Sequence, residues 1–147
     1  MAWTSPRTWV AGETVTAALL NAHVRDNEKA IGDPWTAWTP TVTSETGTFT
    51  SVSGSGQYST FGKHVVWSAT ITITTVGTAS GGIRFTLPVT ARAANLPIGI
   101  GRENTTSGHM MLVYAFSTTV GNAAKYDNTT ASASGRSIVL SGHYESA

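Results

Sequence analysis

Two hydrophobic periods divide the chain. Between Ala17 and Ile31 the apolar residues recur at helical spacing, and from Trp38 onward apolar and polar residues alternate with period two. The helix start is written locally: Thr16 can cap the first amides, and Val15 before it can staple onto Leu20. Gly32-Asp33-Pro34 supplies the stop. Within this helix Ala17, Leu20, Val24, Asn27 and Ile31 are spaced three, four, three and four apart, a heptad seam of a and d positions with one polar member. An isolated helix of ~15 residues is marginal in water, so the seam is expected to pack either on its own sheet or on sister chains. Asn27 favours sister chains, because in a symmetric bundle it can pair with its copies and fix the register. Val24 and Ile31 at a with Leu20 at d lean towards two parallel strands.

The clearest strand is His64 to Val76. Val65, Trp67, Ala69, Ile71 and Ile73 share one face, and Val66, Ser68, Thr70, Thr72 and Thr74 the other. Gly54-Ser55-Gly56 and Phe61-Gly62-Lys63 read as turns around a short strand at 57–60. Gly77 to Gly82 reads as a flexible turn before the alternating Ile83, Phe85 and Leu87. Further strands are expected at 41–42, 48–52, 98–102, 109–118, 124–126 and 137–144. About eight short strands at this spacing predict an antiparallel β-sandwich of jelly-roll type. Met110 to Phe116 is apolar on both faces, so Met110, Leu112, Tyr114 and Phe116 are candidates for a subunit interface. The expected organisation is an extended arm at 1–12, a helical oligomerisation stem at 13–34 and a β-sandwich domain at 35–147. Trp3 and Trp9 on the arm need cover from elsewhere, which makes them candidate anchors.

Composition sharpens this picture. The chain carries 25 Thr and 15 Ser among 147 residues, which suits many short strands with polar outer faces. Charged residues make up 12% and the net charge is +1, which argues against a general nucleic-acid binder, since that requires clustered Lys and Arg. There is no cysteine, so thiol chemistry, disulfides and thiolate metal sites are excluded. The amino end lacks a basic segment followed by an apolar run, and no apolar stretch approaches ~20 residues. The expectation is synthesis in the cytoplasm without a signal peptide and without membrane insertion.

Catalytic signatures are weak. Gly77-Thr78-Ala79-Ser80-Gly81 misplaces its first glycine for a nucleophile elbow. Gly56 to Gly62-Lys63-His64 has one residue too many for a phosphate loop, and His64 stands where Ser or Thr should bind magnesium. Glu45, Glu103, Asp127 and Glu145 show no spacing that pairs two carboxylates for glycoside hydrolysis. His23, His64, His109 and His143 are scattered, with no H-x-H or H-x₃-H pair, so neither a metal site nor a cofactor is expected. Trp35, Trp38, Tyr58, Tyr114 and Tyr126 are candidates for stacking against sugar rings. The alternative is that such aromatics fill the core.

Thr8 to Asn21, followed by Val24-Arg25-Asp26-Asn27, resembles the opening segment of many bacteriophage tail and other virion appendage proteins, especially from phages of actinobacteria. Trp38-Thr39-Pro40-Thr41, Gly56-Gln57-Tyr58, Gly62-Lys63, Leu87-Pro88, Gly101-Arg102-Glu103 and Gly142-His143-Tyr144-Glu145 resemble their β-domain in the same order. The resemblance implies a non-enzymatic virion protein, commonly a homotrimer, with its amino end anchored on other virion proteins and its β-domain pointing outward. It brings no active-site residues. It leaves open a tail fibre or minor tail protein that contacts a host-surface glycan, and a capsid decoration protein or head fibre. A monomeric carbohydrate-binding module is the reading from another class.

Overall fold

The computed structural model of the protein describes residues 4–32 and 35–147. Trp3 and the Asp33-Pro34 stop signal lie outside them. Helix runs from α1 (Ala17–Leu20) through a π turn (Asn21–Arg25) into α2 (Asp26–Gly32). Thr16 caps it as expected, its hydroxyl accepting from the Leu19 amide at 3.3 Å.

The strands are β1 (Thr36–Trp38), β2 (Val42–Thr46), β3 (Ser51–Phe61), β4 (His64–Thr75), β5 (Ser80–Thr86), β6 (Pro97–Glu103), β7 (Met110–Ala115), β8 (Val120–Lys125) and β9 (Arg136–Glu145). They form one antiparallel sheet in the order β1-β3-β4-β9-β6-β7-β8-β5-β2. The fold is therefore mainly β and antiparallel, as the alternation predicts. The two layers of the expected sandwich are two parts of this single curled sheet. Trp67 on β4 meets Phe85 on β5, with ring centroids 5.6 Å apart, although four strands separate them in the sheet order.

The chain itself bridges the two ends of the curl. β1 and β2 lie at opposite edges of the sheet order, yet only Thr39-Pro40-Thr41 joins them. This crossing explains two glycines. A Cβ on Gly54 would stand 2.7 Å from Pro40 Cγ, and one on Gly56 would stand 2.7 Å from Trp38 Cε3. Gly54-Ser55-Gly56 is thus no turn: β3 runs straight through it, and its glycines make room for the crossing segment. The Gly62-Lys63 turn is present between β3 and β4.

The core holds Val65, Trp67, Ala69, Ile71 and Ile73 from β4. Ile83, Phe85, Ile98, Met111, Val113, Ala123, Ile138, Leu140 and Tyr144 join them from the other strands. The inward face of β4 is the one its alternation predicts. Tyr144 also ties down the segment after β5: its hydroxyl donates to Val89 O at 2.7 Å and accepts from Val89 N at 3.2 Å. Burial pushes its phenol up to about 12, against the opposing effect of the Val89 bond. Among the described residues, none before Trp38 belongs to this core or packs against it.

Candidate functional site

The arm and the helix form a small polar unit of their own. Asn27 Oδ1 accepts from Thr4 N and Asn27 Nδ2 donates to Thr4 O, both at 2.9 Å, so the side-chain amide pairs with the arm as a strand neighbour would. Arg7 forms an ion pair with Glu13, and its guanidinium lies 4.9 Å from the centre of the Trp9 ring. Glu13 also accepts from Val10 N at 3.3 Å, while Glu13 N donates to Val10 O at 3.1 Å. The arm is thereby folded against its own helix and not left free.

This arrangement corrects the five-residue seam. A π turn takes more residues per turn than an α-helix, so everything after it is set back by much of one residue's step of about 100°. Asn27 is turned off the line through Leu20 and Val24 and is buried, 6% exposed, with its amide engaged by Thr4 and His23 O. Within one chain its amide is thus engaged by the arm and by the preceding helical turn. Ala17, Leu20, Val24 and Ile31 remain exposed. Trp9, the described anchor candidate, is exposed as well, at 42%.

On the β-domain, β7 separates the two apolar faces read from its sequence. Met111, Val113 and Ala115 point into the core, while Met110, Leu112 and Phe116 are exposed and Tyr114 is half-buried. Two of these four candidates are occupied locally. Tyr114 Oη accepts from Asn122 Nδ2 at 3.0 Å, and Phe116 lies 3.9 Å under the Arg84 guanidinium. Met110 and Leu112 stay open beside Arg102 and Ile100, their register partners on β6, and exposed Val139 on β9 lies across from Arg102. Ile100, Met110 and Val139 line one shallow depression of this outer surface.

The glycan-stacking candidates do not come together. Trp38 and Tyr58 are half-buried and pack against the core, with Trp38 edge-on to Trp67 at 6.2 Å. Trp35 and Tyr126 are exposed but flank β1 and β8, which are not neighbours in the sheet.

Two arrangements were missed by sequence reasoning. The first is Glu103, whose side chain is fully buried at the end of β6. It accepts from the amides of Thr105, Thr106, Ser107 and Gly108 and from the Ser107 hydroxyl. Arg136 Nη1 lies 3.7 Å away and donates to Ser107 Oγ. Burial acts to raise this carboxyl, but the donors from Ser107, Thr105 and Thr106 outweigh it and hold the group far below the usual carboxylate range. Its role is to organise the β6–β7 loop. A carboxylate followed by Thr105-Thr106-Ser107-Gly108 between two strands is the signal that was available. The second is a stacked imidazole pair: His64 and His143 are exposed, with ring centroids 5.2 Å apart and planes at 29°. No spacing rule within one strand reveals a pair formed across β4 and β9.

Comparison with protein-family models, curated proteins and solved structures returns no match. Among the described residues, no helix is long and apolar enough to cross a membrane.

Proposed function

We propose that this chain is a non-enzymatic virion structural protein of the tail-fibre or minor-tail type. In this reading it is a homotrimer, held on the particle by its N-terminal arm and touching the host surface with its β-domain. One observation carries the reading. Leu20, Val24 and Ile31 are exposed on a helix that gives nothing to the core, and a helix of this length needs an apolar partner to persist in water. Sister chains supply that partner, and the arm clamped by Asn27 travels with the helix as part of the same stem. The open Met110 and Leu112, next to Ile100, provide a second surface of the same kind on the β-domain. Glycan capture by a monomeric module is the weaker reading, because two of its five proposed stacking rings, Trp38 and Tyr58, are packed against the core.

The test is the solution mass by light scattering of the intact chain and of residues 35–147, whose core draws on no described residue before Trp38. The intact chain is expected at three times 15.4 kDa. A monomeric shortened chain assigns assembly to the helix, and a trimeric one assigns it to the outer face of β6 and β7. A monomeric intact chain at high concentration overturns the proposal. Antibody labelling of particles then separates tail from head: a labelled head would replace the tail reading with a decoration protein or head fibre.

A further inference from the structure

We propose that His64 and His143 form a binding site for a borderline-soft divalent transition ion, of the class of Cu²⁺, Ni²⁺ and Zn²⁺, on the outer face of the sheet. The site follows from register. His64 opens β4 opposite Glu145, and His143 lies two residues before Glu145 on β9, opposite Val66. Alternation sends Val65, Trp67 and Tyr144 into the core, so His64, Val66, His143 and Glu145 face outward together. β4 and β9 are paired without a register shift from His64–Glu145 to Ile73–Arg136, which gives both imidazoles a rigid base.

The separation of the rings suits one shared ion. In a tetrahedral complex each nitrogen stands about 2.0–2.1 Å from the metal and each ring centre about 1.1 Å beyond it, which puts two ligating ring centres about 5.1 Å apart. The observed rings are stacked with centroids 5.2 Å apart and both exposed, which brings both imidazoles within reach of one ion once they turn. Only side-chain torsions need change for a nitrogen of each ring to converge on the ion, and an exposed imidazole is free to make that change. Imidazole donors select Cu²⁺, Ni²⁺ and Zn²⁺, whereas Mg²⁺ and Ca²⁺ prefer all-oxygen sets.

The surrounding charge is balanced. Glu145 carboxylate is paired with Arg92 at 2.9 Å, and Lys63 precedes His64 in the turn. Among the described residues, no cluster of three His, Asp or Glu side chains is placed to hold a metal, so water fills the remaining positions of this two-imidazole site. The inference stands apart from the virion reading and uses none of its residues.

The experiment is calorimetric titration of the intact protein with Cu²⁺, Ni²⁺, Zn²⁺ and Mg²⁺, one salt at a time. It is repeated on His64→Ala, His143→Ala and the double variant His23→Ala/His109→Ala. Both paired histidines are exposed, and an unchanged melting temperature without metal shows that their variants fold. The expected result is one ion per chain at submillimolar affinity, tightest for Cu²⁺, with no Mg²⁺ binding. Each paired-site variant should bind about tenfold more weakly or worse, because the chelate is lost. The His23/His109 variant should match the parent. Affinity should fall in acid, since protons compete for the same nitrogens. Unchanged affinity in His64→Ala and His143→Ala, loss confined to the His23/His109 variant, or no binding of any of the three transition ions would each overturn the site.

Discussion

Residues 4–32 and residues from Trp38 onward are held together by different physics. The first segment relies on a few hydrogen bonds and two ion pairs: Thr4 with Asn27, Thr16 with Leu19, Arg7 with Glu13, and Arg25 with Asp26. The second buries a continuous apolar core drawn from strands far apart in sequence and closes it with the Thr39–Thr41 crossing. Net hydrogen bonds contribute about 0.5–1.5 kcal/mol each, whereas a buried large side chain contributes several times that. The β-domain therefore has a fold of its own, whereas the described arm and helix contribute no residue to its core.

The largest effect should come from Trp67→Ala. Trp67 is 1% exposed, packs against Trp38 and Phe85, and donates Nε1 to Ile98 O at 3.3 Å. Removing the indole leaves a cavity and an unpaired carbonyl, and should cost about 3–5 kcal/mol. A urea titration followed by tryptophan fluorescence and by far-ultraviolet dichroism measures this directly. A loss below about 1 kcal/mol would mean that the core tolerates collapse at its centre, and would remove the contrast between the two regions.

Glu103→Gln is expected next, at about 2–3 kcal/mol near neutral pH, because an amide group replaces a carboxylate surrounded by donors. The pH dependence has a definite sign. The folded carboxyl is held below its unfolded value of about 4.3, so its contribution is complete above that value and is lost as pH falls towards the folded one. The urea midpoints of parent and variant should thus converge on acidification from about pH 5 downward. A gap that stays constant to pH 3 would show that the loop is held by its backbone and not by the ionised carboxylate.

Legibility in the sequence follows the same division. The inward face of β4, the Gly62-Lys63 turn and the Thr16 cap were readable because each is decided by neighbours within a few residues. Gly54 and Gly56 were misread as a turn, since the demand for glycine comes from Pro40 and Trp38 crossing above them. The sandwich was readable as a class, but its closure into one sheet was not, because that depends on β9 inserting between β4 and β6. Trp38 and Tyr58 were left open between surface and core, because only the pairing of β1, β3 and β4 places them beside Trp67. At the candidate stem, the heptad spacing was visible, but the π turn that displaces Asn27 was not. His64 and His143 meet through a strand pairing that no local pattern announces.

The smallest effect is the most direct probe of the arm. Asn27→Ala removes both bonds to Thr4 and the one to His23 O, a local loss of roughly 1–2 kcal/mol. Because this unit shares no core with the β-domain, the urea midpoint of the β-domain should not move. The Thr4 amide should instead lose its hydrogen-exchange protection, while the amides of β4 and β9 keep theirs. Helix residues beyond the π turn should fray further, since the arm no longer covers that face. If the β4 and β9 amides also exchange faster, the clamp is coupled to the sheet and the two regions are one cooperative unit. If only the arm is released, Asn27 acts as a latch, and the exposed Leu20 and Val24 face is the part of the helix left for another chain to cover.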